Sequence, residues 1–234
     1  MRVRDLVGMT KHLRIDLEAL EKRLLTLGAR VEDAVRKSVL ALTQGRRDLA
    51  EEVIAGDVDI DREEVLLEDL CLKILALHHP GANDLRFVTA VLKINNDLER
   101  IGDLASNVCK RSLGLPRQAD ASPPPEIEQL LDGVVVMLRE SLDAFVRGDV
   151  RLAQKVLTQD EGVNDAYRKI VDATVEQLKS PGTNVDEAVL YMSSAKNLER
   201  IADHATNIAE DVVYMVEGEI IRHQAAADRA RGQG

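Results

Sequence analysis

The sequence predicts an all-α protein: two pseudo-symmetric three-helix bundles, six long antiparallel helices in all, arising from an internal duplication. Three observations carry this. The 234 residues are 45% apolar yet include only two Phe, three Tyr and no Trp, and a core of Leu, Val, Ile and Ala suits packed helices better than a β-sandwich. Apolar positions recur at steps of three and four over long stretches, the period of an amphipathic helix. A segment beginning at Asn96 returns at Lys196, and repetition at a fixed offset marks a structural unit used twice.

Taken in order, Leu13, Leu17, Leu20, Leu24, Leu27, Val31, Ala34, Ser38 and Leu42 form a heptad-like stripe that predicts one long helix ending near Gly45. RRDLAEEVIAGD then reads as a short helical connector closed by Gly56, and a second helix runs from about Asp57 to the HHPG break. Asn83 or Asp84 can cap a third helix, because a short polar side chain accepts from the orphan N–H groups of a first turn; that helix reaches Leu113. GLPRQADASPPP lacks periodicity and ends in three consecutive prolines, which cannot continue a helix interior. Residues 114–125 therefore read as a linker between a first bundle over 1–113 and a second over 126–220.

Beyond the linker the pattern restarts. Ile127, Leu131, Val134, Leu138, Ser141 and Phe145 renew the stripe, and RLAQKVLTQD echoes DLAEEVIAGD. A second Pro-Gly break at Pro181 precedes Thr183-x-x-Asp186, which has the form of a capping box. The end of the chain, ADRARGQG, is small, polar and glycine-terminated, so 221–234 is expected to be a disordered tail.

The repeat is clearest where Asn96 to Asn107 is set above Lys196 to Asn207. At an offset of 100, Leu, Glu, Arg, Ile, Asp, Ala and Asn coincide at seven of twelve positions. In the first copy Ile94, Leu98, Ile101, Ala105 and Val108 form the core stripe; in the second, Leu198, Ile201, Ala205, Ile208 and Val212 do so. Glu99 and Asp103 lie one turn apart on another face, as do Glu199 and Asp203. Adjacent like charges weaken an isolated helix by roughly 0.2–0.5 kcal/mol. Either arginines offset them on a solvated face, or the face binds a cation or polar ligand. Retention of Glu-x-x-x-Asp in both copies favours binding. More acid opens each second helix: Asp57, Asp59, Asp61, Glu63 and Glu64 in the first half, Asp160, Glu161, Asn164 and Asp165 in the second. Carboxylates also complement a helix N-terminus, but beside the third helix they make an oxygen-rich, thiol-free patch suited to Mg²⁺, Mn²⁺ or iron.

The net charge of −10 argues against nucleic acid and against direct attraction to anionic lipid. Cys71 and Cys109 lie far apart within apolar helical stretches, which reads as buried thiols in a reducing compartment. With no signal-like N-terminus and no 18-residue uncharged apolar window, the protein is expected to be cytoplasmic. No GxxxxGK[ST], GxGxxG or HExxH motif occurs, and no Glu stands three residues before any of the five His, so nothing marks an enzyme.

Asn95-Asn96-Asp97-Leu98-Glu99-Arg100-Ile101-Gly102-Asp103, together with Leu198-Glu199-Arg200-Ile201-Ala202-Asp203, closely resembles the PhoU phosphate-signalling regulators. The resemblance extends over nearly the whole chain, through Ile60-Asp61 with Glu64, the His79-Pro80 break and Asp84-Leu85-Arg86. It implies a non-enzymatic negative regulator of phosphate uptake and phosphate-starvation signalling. Its expected partners are the ATP-binding subunit of the phosphate ABC transporter and a two-component sensor histidine kinase, with the membrane reached only through them; a homodimer is also expected. Metal ions, whether iron, zinc, Mg²⁺ or Mn²⁺, would sit on E(D)xxxD motifs, here Glu99/Asp103, Glu199/Asp203, Asp57/Asp61 and Asp160/Asn164. The second half departs from the pattern: Asn164 stands for Asp61 and Tyr167 for Glu64, which predicts weaker or differently composed metal binding there unless Glu161 and Asp165 substitute. Two other readings stand beside the regulator. One is a carboxylate-bridged metalloenzyme acting on phosphate esters, the other a metal-free helical scaffold.

Overall fold

The structure, a computed structural model, describes residues 11–114 and 125–219. Among them are six helices and no strand: α1 (Lys11–Gln44), α2 (Arg47–His78), α3 (Ala82–Ser112), α4 (Pro125–Arg147), α5 (Val150–Leu178) and α6 (Val185–Glu217). The expected linker and the expected tail lie outside the described residues, except for Gly114 and for Pro125, which opens α4. A first helical turn tolerates proline because its missing N–H would have had no partner.

All nine stripe positions of α1 are buried, Ser38 included, whose hydroxyl donates to the Val35 carbonyl at 2.7 Å. Ser141 does the same in α4, donating to Leu138 at 2.8 Å. The stripe of α4 is shifted slightly, with Leu130 buried and Leu131 only half-buried.

Three expectations about boundaries are corrected. The connector expected after Gly45 is not separate, because α2 runs unbroken from Arg47 through Gly56. Gly45, at φ +64°, makes the turn, whereas Gly56 keeps a negative φ within the helix. Glycine in a helix interior costs up to about 1 kcal/mol relative to alanine, a deficit that burial of Val53 and Ile60 on either side readily offsets. Neither Asn83 nor Asp84 caps α3; Gly81 is the N-cap, and Asn83 inside the first turn accepts from Arg86. At α6 the cap is Asn184, not Thr183: its Oδ1 accepts from the Glu187 N–H at 3.3 Å. Thr183 instead donates backward to the Gln177 carbonyl at 2.7 Å, closing the end of α5.

Neighbouring helices run antiparallel, since partners on one ascend in number as those on the other descend. On α1 and α2 these are Asp16 with His78 (2.7 Å), Arg23 with Glu63 (2.8 Å) and Lys37 with Glu52 (2.7 Å). On α2 and α3, Ile60 lies against Gly102 while Asn95 donates to the Glu64 carbonyl at 2.9 Å. Each half is thus a three-helix bundle, α1–α3 and α4–α6.

The bundles join along α3 and α6, the most extensively packed helix pair, with α2 and α5 on opposite outer sides. The contacts across this seam follow the duplication. Lys93 reaches Asp211 at 3.0 Å, and its counterpart pair, displaced by the same 100 residues, is Ser193 with Arg111 at 2.9 Å. Asp97 lies 2.7 Å from His204 Nδ1 and accepts from Asn207 at 3.2 Å. One continuous hydrophobic cluster runs through both halves. No helix among the described residues is long and apolar enough to cross a membrane.

Candidate functional site

The acidic face of the first half is built around a close helix approach. Gly102 of α3 has no Cβ, and an added one would stand 3.1 Å from Ile60 Cδ1 on α2. Ile60 therefore presses onto the α3 backbone, and the residues flanking this contact are drawn together. Asp57 and Asp61, one turn apart on α2, converge with Asp103 of α3 so that one carboxylate oxygen from each lies within 4.8 Å of the others.

Three carboxylates so close repel one another. Burial pushes Asp57 above the usual aspartate range, and Asp103 and Asp61 add to it; the buried Ser106 hydroxyl and Lys110, whose Nζ is 4.0 Å away, pull the other way. Glu64 is likewise raised, by burial and then by Glu68 and Asp61. Glu99 is raised by burial and then by Asp103. Glu99 stands beside the three-carboxylate group, not within it, and pairs at 3.4 Å with Arg100, which also reaches Asp103 at 3.6 Å.

This donor set fits a hard divalent cation. Oxygens around Mg²⁺ or Mn²⁺ at about 2.1 Å are spaced by roughly 3–4.2 Å, and one oxygen from each of the three carboxylates already lies within 4.8 Å of the others. With oxygen donors alone, the group suits Mg²⁺, Mn²⁺ or iron better than a thiolate-bound metal. Both cysteines are buried, with their thiols pushed up to about 12 by desolvation first and, for Cys109, by Asp57 next.

The second half assembles differently. Asp160 and Asn164 of α5 bond to each other, the Asn164 amide donating at 2.9 Å. Glu199 of α6 accepts from Lys196 Nζ at 2.6 Å, and that ammonium also lies 5.2 Å from the centroid of the Tyr167 ring. Asp203 is pushed up to about 6, by desolvation first and then by Glu199 and Asp160, with Lys196 and His204 opposing. Among the described residues, only the first half brings three such ligand atoms together. His204, adjacent in sequence to Asp203, is engaged by Asp97 across the seam between the halves.

Sequence reasoning did not single out Lys196 or Tyr167 as the ring beneath it, and it placed Asn95 on the face of Glu99 and Asp103 without its burial or its bond to Glu64. The signal was available for Lys196, which replaces Asn96 in the aligned repeat. For the burial of Asn95 there was none, because it depends on how α2 lies over α3.

Fold and site together define a duplicated all-α bundle protein whose carboxylates gather between the second and third helices of its first half. The PhoU domain model matches residues 24–112 and 127–212, one unit in each bundle, and the chain belongs to the PhoU family. The phosphate-specific transport system accessory protein PhoU of Escherichia coli (strain K12) is 30% identical over 223 residues, spanning 94% of this chain and 92% of its own length. The PhoU homolog of Aquifex aeolicus is 35% identical over 209 residues, 89% of this chain and 95% of its own. Among solved structures, PhoU from Pseudomonas aeruginosa superposes with a TM-score of 0.85 at 34% identity, covering 88% of this chain and 99% of that one. The phosphate transport system regulatory protein PhoU from Streptococcus pneumoniae gives 0.83 at 29% identity, covering 89% and 98%. These relatives are named as accessory or regulatory proteins of phosphate transport.

Proposed function

We propose that this protein is a cytoplasmic negative regulator of phosphate uptake and phosphate-starvation signalling. It acts by docking on the ATP-binding subunit of the phosphate transporter and on a sensor histidine kinase. Similarity over nearly the full length to accessory proteins of the phosphate-specific transport system carries the reading. Long exposed helices on α2 and α5 supply partner surfaces, and the acidic charge disfavours competing nucleic acid.

Metal binding is the second part of the proposal, and the convergence of Asp57, Asp61 and Asp103 is the observation that supports it. A bound divalent cation offsets the burial, and with it the mutual repulsion, that raise Asp57 and Glu99, and it joins α2 to α3. It thereby stiffens the outer helix that a partner would contact. Self-association into a homodimer is also part of this reading. Val58, Val65 and Leu72 stand exposed on α2 at seven-residue spacing, the repeat with which a helix pairs with a like helix.

The test is a pull-down from lysate with the wild type and an Asp57→Ala/Asp61→Ala/Glu99→Ala/Asp103→Ala variant, with metal content measured for both. Capture of the transporter ATPase subunit and the kinase by the wild type, with metal missing from the variant, is the expected result. Neither partner captured and no metal in the wild type would leave a metal-free helical scaffold.

A further inference from the structure

The two acidic faces descend from one repeat, yet matched positions differ in a consistent direction. Asn96 becomes Lys196, Asp61 becomes Asn164, Glu64 becomes Tyr167 and Asn95 becomes Ala195. Each change has a structural counterpart. In the first half Asn95 fastens Glu64 beside the carboxylate group. In the second the ring of Tyr167 stands there instead, with the Lys196 ammonium 5.2 Å from its centroid. Where Asp61 adds a third carboxylate, Asn164 turns an amide N–H toward Asp160 and occupies one of its oxygens. The Lys196 ammonium meets Glu199, only 12% exposed, at 2.6 Å.

We infer that Lys196 is a built-in cation of the second half, its ammonium held by Glu199 and Tyr167 where a metal ion would otherwise sit, so that divalent ions bind only at the Asp57–Asp61–Asp103 face. An ammonium at this point repels a divalent ion, and its hold on Glu199 removes a ligand from the set. The aromatic ring adds a contact that favours a monovalent ammonium and puts a neutral phenol where the first half has the Glu64 carboxylate. Arg100 in the first half is no equivalent. It is 62% exposed and reaches Glu99 and Asp103 only at 3.4 and 3.6 Å, and Lys110, the other cation beside this face, is 54% exposed and stands 4.0 Å from Asp57, so neither grips a carboxylate as closely as Lys196 grips Glu199. The tighter Ile60–Gly102 approach has no copy either, since Ala202 fills the glycine's place and Val163 that of the isoleucine. The duplication has thus yielded one face neutralised from within and one open to exchangeable ions.

This inference rests on metal binding at the first face, and the experiment separates the two. Mn²⁺ binding is measured by calorimetry on the full chain. The variants are Asp57→Asn/Asp61→Asn/Asp103→Asn, Asp160→Asn/Asp203→Asn and Lys196→Asn/Asn164→Asp/Tyr167→Glu, with helicity checked by circular dichroism. The wild type is expected to show one face occupied, with binding weakened tenfold or more in the first variant and unchanged in the second. The third is expected to gain a further class of sites. The single Lys196→Asn variant, at a half-exposed position, guards against misfolding of the triple one; Mn²⁺ should raise its melting midpoint more than that of the wild type. Wild-type binding that survives the first variant and is lost in the second overturns the inference. So does a folded third variant that gains no sites. Should the wild type bind no Mn²⁺, the metal reading of the first face fails, while a gain in the Lys196 variants would still uphold the lysine's role and no gain would reject it.

Discussion

Cys71 and Cys109 are fully enclosed, and desolvation pushes both thiols up to about 12. Since the thiolate is the reactive form, neither should react with a disulfide reagent at pH 8 in the native protein, and both should react on addition of denaturant; absorbance of the released thiol reports it. Asp203 behaves oppositely to an ordinary surface aspartate. It keeps its proton up to about 6, whereas an unfolded aspartate releases it near 4 (about 3.9). Between those values the folded state binds more protons, so this group's contribution to stability falls as pH rises from about 4 to about 6 and returns on acidification. A ¹³C carboxyl titration should find Asp203 with a midpoint near 6, moving higher in Lys196→Met, because Lys196 holds it down. The acidic residues of the site were legible in the sequence, since Asp57 and Asp103 return as Asp160 and Asp203 and Asp61 stands one turn from Asp57. So was the side of the bundle on which they gather, the predicted start of α2 beside the carboxylate face of α3; which of them meet was not. Glu99 and Asp103 are neighbours along one helix, but the Ile60–Gly102 contact brings Asp103 to Asp57 and Asp61 of the facing helix, a relation between elements that no spacing within α3 encodes.

Within α2, Gly56 separates two descriptions of the chain. In a continuous helix with open space around it, Gly56→Ala should stabilise the protein by about 0.5–1 kcal/mol, as alanine is the better helix former. Were Gly56 the left-handed end of a separate connector, the same change would destabilise; urea unfolding distinguishes the two. Gly102 is the contrary case. Gly102→Val drives two γ-carbons into Ile60, and overpacking of this kind costs about 1–3 kcal/mol, with Mn²⁺ affinity falling as α2 and α3 are levered apart. The helices themselves were readable because their core stripes are long: all nine predicted positions of α1 are buried, as are the five of α3 and the five of α6. Their ends were not, for a local reason. Asn184 and Thr183 are both competent caps one residue apart, and only the path of the chain out of α5 decides that Thr183 serves the helix behind it.

Across the whole molecule, the 100-residue offset visible in the sequence reappears as the pseudo-symmetry of the α3–α6 seam, where Lys93–Asp211 and Arg111–Ser193 are copies of one another. What could not be read beforehand is that the halves share one core and do not hang from the linker as separate beads; that follows from α3 and α6 each burying a second face on the other. A body of this kind, acidic, helical and resembling transport accessory proteins along nearly its full length, is suited to reporting on a transporter by contact. The most direct measurement is a phosphate-starvation reporter promoter in the native host, in phosphate-rich medium, with the coding sequence deleted and then restored. Deletion should switch the reporter on, and restoring the wild-type chain should silence it. A reporter that stays silent after deletion, under conditions where the wild-type chain is expressed, would contradict a role as negative regulator.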